Sequence, residues 1–212
     1  MNYNVTDQNS FAKTSLNFVG ATLFALAFLL SLRMPTRADD LVPPSVPTNI
    51  QVPAGNKLFL VGHATGTQDY ICLPADGSIK FVLFTPQATL FKEQKQIITH
   101  YFSPNPAEGG TVRATWQHSK DSSMVWGMVA PGNSSSDPAY VAPNSIPWLL
   151  VTAVGAKSGS GDGDTLSKTT FIQRLNTSGG VAPATGCAAP SDVGTKAYVP
   201  YTADYYFYKK SK

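Results

Sequence analysis

The chain has 212 residues, with 16 Lys and Arg against 13 Asp and Glu, a formal net charge of +3. Much of that excess, Lys13, Arg33 and Arg37 against Asp7, precedes Asp39. The remainder is close to neutral and gives no electrostatic footprint for nucleic acid or an anionic membrane.

Phe18–Leu32 is a nearly continuous apolar run. It is shorter than the roughly 20 residues of a bilayer-spanning helix and matches a secretory h-region. Thr36-Arg37-Ala38 then puts small residues at both recognition positions of a cleavage site, with Asp39-Asp40 beyond. Residues 1–38 therefore read as a signal peptide. The mature form would have no stable membrane span and would be secreted or held in the cell envelope. The competing reading is an uncleaved signal anchor, favoured by the long, weakly charged lead.

The chain beyond residue 38 is long enough for one domain with a proper core. Residues 39–53 include LVPPSVPTNIQVP, whose prolines remove donors and bias their predecessors toward extended geometry. This is an extended entry segment. From residue 54 to 212 the pattern is short β-type runs punctuated by Gly, Pro, Ser and Asp. The runs are Lys57–His63, Tyr70–Leu73, Ile79–Thr85 after the turn Pro74-Ala75-Asp76-Gly77, Ala88–Phe91 and Ile97–Phe102. Thr111–His118 places Val112, Ala114, Trp116 and His118 on one face, taken as core, and pairs with Met124–Ala130 as a hairpin. Trp148–Val154 and Lys168–Leu175 bracket a Gly/Ser/Asp loop as a second hairpin, and Ala203–Tyr208 closes the sheet. No segment after the leader sustains helical apolar spacing, and no repeat of fixed period occurs. The fold class is all-β, a single antiparallel β-sandwich or barrel.

Chemistry-bearing residues are few. Cys72 and Cys187 in an exported chain read as a disulfide, with two separate buried thiols as the rival reading. Neither has zinc-ligand spacing. His63, His100 and His118 are the only histidines and the weak candidates for a site, as metal ligands or a general base. The loop Gly159–Leu166 carries Asp162 and Asp164, but it lacks the later Glu of an EF-hand loop and occurs once. No metal or cofactor is expected. No nucleophile elbow, zinc-protease or phosphate-loop motif occurs, so the sequence assigns no catalytic residue.

Tyr201, Tyr205, Tyr206, Tyr208, Trp116, Trp126 and Trp148 would suit a cell-wall or extracellular polysaccharide if exposed. The plainer reading is that they fill a β core. Asn133-Ser134-Ser135 and Asn176-Thr177-Ser178 fit the glycosylation pattern and fall in expected loops.

Several phrases recur together in one family. They are Tyr70-Ile71-Cys72, His100-Tyr101 followed by Thr115-Trp116, Ile146–Leu150, Phe171–Leu175, Gly179–Pro183 running to Gly186-Cys187, and Val199–Tyr208. Over about Ile50 to Tyr208 the chain resembles the exported bacterial and fungal proteins grouped as domain of unknown function 3455. That resemblance implies one exported domain and assigns no activity or site. The functional expectation is a non-catalytic secreted or envelope β-domain with a structural or binding role. The alternative is an uncharacterised extracellular hydrolase acting on carbohydrate.

Overall fold

The computed structural model describes residues 42–211. The expected signal peptide and cleavage site, and the rival anchor reading, lie outside the described residues. Eight strands succeed one another: β1 (Asn56–Ala75), β2 (Ser78–Lys92), β3 (Lys95–Asn105), β4 (Thr111–His118), β5 (Met124–Ser135), β6 (Trp148–Lys157), β7 (Thr169–Gly179) and β8 (Lys196–Lys210). Each pairs antiparallel with the next, and β8 returns to β1 to close an up-and-down barrel. Closure pairs every strand on both sides along part of its length, although the β2–β3 and β4–β5 ladders are short. The barrel, rather than the sandwich, is the architecture.

The strands are longer than the sequence runs because bulges carry the chain through residues that break the pattern. Lys57–His63 and Tyr70–Leu73 are one strand, β1, continuous against β8 through Asp69 and Tyr70, while β2 bulges at Phe84 between Asp69↔Thr85 and Tyr70↔Leu83. Ile79–Thr85 and Ala88–Phe91 likewise merge into β2 across Pro86. Proline is tolerated there because the β2–β3 ladder starts only at Ala88↔His100, so no donor is needed on that side. The β1–β2 turn narrows to Asp76-Gly77, both with positive φ (48° and 78°), which is the twist-matched two-residue hairpin geometry. The glycosylation-type asparagines are also on strands: Asn133 in β5 and Asn176 in β7, each at a register shift. Residues 42–53 contain one 3-10 helix, Thr48–Ile50.

The inward face alternates small and large residues, so bulky rings from some strands fill space left by others. Ala64, Ala88 and Ala203 stand beside Trp116, Tyr205, Phe207 and Leu90 in the interior cluster. Gly127 is required in this layer, since a Cβ there would collide with Val151 and crowd the Trp116 ring. At the end bearing the β2–β3, β4–β5 and β6–β7 connections the interior is solid, with Leu90, Ile98, Val125, Leu166 and Phe207 fully buried.

A second apolar cluster lies outside the barrel. Ile50 of the entry segment is buried with Trp148, Leu150, Leu175, Tyr206 and Tyr208. Gln173 Nε2 donates to Ile50 O (2.7 Å), and the Tyr208 hydroxyl donates to Gln173 Oε1 (2.6 Å). The entry segment thus covers one outer face, which explains why β8 is apolar on both faces. Tyr205 and Phe207 belong to the interior cluster, while Tyr206 and Tyr208 belong to the outer one. Every aromatic weighed for sugar stacking is buried.

At the other end, Cys72 of β1 is joined to Cys187 in the β7–β8 connection, with Cα atoms 5.5 Å apart. The Cys72 N–H also donates to Thr195 O (2.8 Å), and the Gly194 N–H donates to Cys72 O (2.9 Å). A disulfide is consistent with an extracytoplasmic location. Among the described residues no helix is long and apolar enough to cross a membrane.

Candidate functional site

The three histidines do not converge. His63 is exposed on β1, its Nδ1 2.6 Å from Asp204 Oδ1, while Asn176 Nδ2 donates to Asp204 Oδ2 (2.8 Å). His118 closes β4 with its Nδ1 2.9 Å from Asp121 Oδ1. Only His100 lies inside the barrel.

His118 shares its carboxylate with a serine, yet the connectivity is not that of a Ser-His-Asp triad. In a catalytic triad the hydroxyl donates to the histidine and the carboxylate orients the far ring nitrogen. Here Ser123 Oγ donates to Asp121 Oδ1 (2.6 Å) and accepts from the Leu166 N–H (3.0 Å). Thr165 donates to Asp121 Oδ2 through its hydroxyl (2.6 Å) and backbone N–H (3.1 Å). The group pins the β6–β7 loop to the β4–β5 turn and seats Leu166 in the core. Burial pushes the Asp121 carboxyl up, but the Ser123 and Thr165 hydrogen bonds outweigh it, and its pKa lies below the usual carboxylate range.

Asp121→Ala is therefore expected to cost about 2–4 kcal/mol at neutral pH, because several charge-assisted bonds are lost together. A depressed folded pKa adds stability above the unfolded value, about 3.9, and that contribution fades as pH falls below it. The gap between wild type and variant should narrow in acid, as measured by urea unfolding at pH 7 and pH 3. A constant gap would remove the carboxylate from this role.

The loop weighed for calcium holds a 3-10 helix, Ser160–Asp162, and Asp164 pairs with Lys168 (2.7 Å). Among the described residues no group of three or more His, Cys, Asp or Glu side chains is placed to hold a metal ion.

The interior holds a hollow toward the disulfide end. There a cavity of about 140 Å³ is lined by Leu83, Pro86, Phe102, Ala114, Val129, Leu149 and Val151, with Gln68, His100, Trp116, Arg174 and Tyr205 supplying the polar atoms. The wall loosens at this level. The Phe102 N–H donates to Thr85 Oγ1 (3.1 Å) instead of to a ladder partner, and the β4–β5 ladder stops at Ala114↔Gly127. Leu83, Val112 and Val129 remain exposed on these strands. Val112, grouped with the core by parity alone, is 58% exposed.

The His100 ring stacks on Trp116 at 4.3 Å and 9°, with Tyr205 tilted against both. Its Nδ1–H donates to Thr115 O (2.8 Å). Burial and the Arg174 charge pull its pKa down to about 3 against the opposing pull of the Thr115 bond, so His100 is neutral at physiological pH. Burial also raises the Tyr201 and Tyr205 hydroxyls, which lie 3.3 Å apart. Arg174 uses Nε and Nη2 on Pro147 O (3.3 and 2.9 Å). Among the described residues it has no ion-pair partner.

Gln68 Nε2 and Trp116 Nε1 are buried without a hydrogen-bond partner among the described residues, and so are both carboxylate oxygens of Asp69, which does not line the cavity. Sequence reasoning does not single out Gln68 or Arg174. The one signal it holds is a charge two residues after Ile172, at inward parity.

A family model described as "Protein of unknown function (DUF3455)" matches residues 53–209. No curated protein and no solved structure matches the chain.

Proposed function

The chain belongs to the family of proteins of unknown function DUF3455, and from that premise we propose that it is an exported, non-catalytic carrier for a small, largely apolar molecule held inside the barrel. The observation that carries this reading is the cavity of about 140 Å³ at the disulfide end. A dry apolar cavity of about 150 Å³ is known to take up benzene, so the volume suits a single ring or a short chain. The apolar residues exposed near it give such a molecule a way in. The leader and the disulfide support export. Two broader hollows, around Thr65 and Thr99 and around Pro74 and Ile79, are shallow surface features and offer no comparable enclosure.

A hydrolytic role on polysaccharide has less support. Among the described hydrogen bonds no serine, threonine or cysteine donates to a histidine, and the tyrosines and tryptophans named above for sugar stacking are buried.

Calorimetric titration with small aromatic and aliphatic compounds tests the carrier reading. Binding is expected for wild type, and Ala114→Leu, which fills the cavity from its wall, should abolish it without lowering the melting temperature. Absence of binding by wild type, or unaltered binding by the filled variant, would overturn it.

A further inference from the structure

We infer that the molecule held in the barrel is an organic acid, its carboxylate received by Arg174, Gln68 and Trp116 and its apolar body directed along Leu83, Pro86, Phe102 and Val129. This rests on the carrier reading above and adds the chemistry of the ligand's polar end.

Three observations converge on an anion. The first is a charge. Arg174 lines the cavity, and its guanidinium spends two donor groups on one neutral carbonyl, Pro147 O. A guanidinium carries five N–H donors in a planar fork matched to a carboxylate, so donors remain available. A partly desolvated cation without a counter-ion is costly, and an acidic ligand would remove that cost.

The second is a pair of orphaned donors in the same cavity. Gln68 is 3% exposed and Trp116 is 1% exposed, yet neither Gln68 Nε2 nor Trp116 Nε1 has a partner among the described residues. Buried donors are nearly always satisfied, and one left without an acceptor is destabilising. Neither completes a hydrogen bond, although the Tyr201 hydroxyl lies near the Gln68 amide, and a carboxylate supplies two charged acceptor oxygens and no donor.

The third is the shape of the remainder. Beyond these polar atoms the walls are Leu, Pro, Phe, Ala and Val side chains, which cannot solvate an inorganic oxyanion on all sides. An acid with an apolar body satisfies both halves of the site. His100 does not compete for the anion, since its burial keeps it uncharged. Asp69, the neighbour of Gln68, does not line the cavity.

The test compares acids with neutral molecules of the same body: benzoate against benzyl alcohol, and hexanoate against hexanol, titrated into the intact protein at neutral pH. The acids are expected to bind at least about tenfold more tightly, the scale of one charge-assisted bidentate contact. Arg174→Gln should remove that preference while leaving the alcohols' affinity within about twofold. Gln68→Leu, which keeps the charge, should weaken the acids by a smaller factor and serves as the second variant if Arg174→Gln fails to fold. Equal or tighter binding of the alcohols to wild type would overturn the anion site and leave the carrier reading standing. Binding of none of the four would overturn the carrier reading itself. Displacement of benzoate by inorganic phosphate at equal concentration would show that the apolar body is not recognised and would overturn the assignment to organic acids.

Discussion

Replacing both Cys72 and Cys187 with Ser is expected to lower stability by about 4–5 kcal/mol, the chain-entropy value for a loop of this length. The two cysteines are 115 residues apart, so the cross-link closes most of the domain into one loop. Its effect falls chiefly on the unfolded chain. In the folded protein the junction is already held by the β1–β8 ladder, where Ile71 stands opposite Lys196, and by the paired bonds of Cys72 with Gly194 and Thr195. The native barrel should therefore keep its β-sheet spectrum without the bond. The unfolded chain becomes more expanded, so the urea m-value should rise as the midpoint falls. Equilibrium urea unfolding of the double variant beside the oxidised wild type reads both quantities. An unchanged midpoint would mean that the cross-link constrains nothing the ladder does not.

Trp116→Ala is expected to cost about 3–5 kcal/mol, the range for a fully buried large aromatic. The ring is the hub of the interior. It stacks on His100 and meets Tyr205 and Phe207 edge-on at 5.8 and 6.4 Å. Its bed cannot collapse to fill the gap, because Gly127 against the ring and Ala114 two residues along β4 are already small and the surrounding backbone is tied into ladders. Most of the lost volume should remain as a cavity and so carry the full penalty. Urea unfolding with Trp116→Ala and Trp148→Ala side by side separates the two clusters, since Trp148 packs outside the barrel beneath the entry segment. A melting temperature unchanged in the Trp116 variant would mean that the interior is not packed around this ring.

The family, the all-β class and most of the strand positions were legible in the chain. Thr111–His118 keeps its sequence boundaries as β4, and the two expected hairpins form. The boundaries that moved did so for identifiable reasons. Pro86 and Asp69 look like strand breakers, and each is absorbed where a neighbouring ladder is missing or bulged. The inward role of Val112 failed because the β4–β5 ladder stops at Ala114↔Gly127, so Val112 has no partner on β5 near the cavity end.

The cavity residues show where local reading stops. Parity can place Arg174 on a face, but it cannot say that Gln68, from a strand more than a hundred positions earlier, lines the same space. It likewise cannot separate His100, held neutral inside the barrel, from His63 on its surface, since both are single histidines in alternating strands. Alternation, turn chemistry and the two cysteines are short-range or countable properties, and the sequence by itself determined the β class from them. Closure of the ladder from β8 to β1, the burial of a second face under residues 42–53, and the gathering of unpartnered donors around one hollow depend on contacts between distant strands. Those were decided only by the tertiary structure, because the free energy of burying or stranding a polar group depends on what the rest of the chain brings against it.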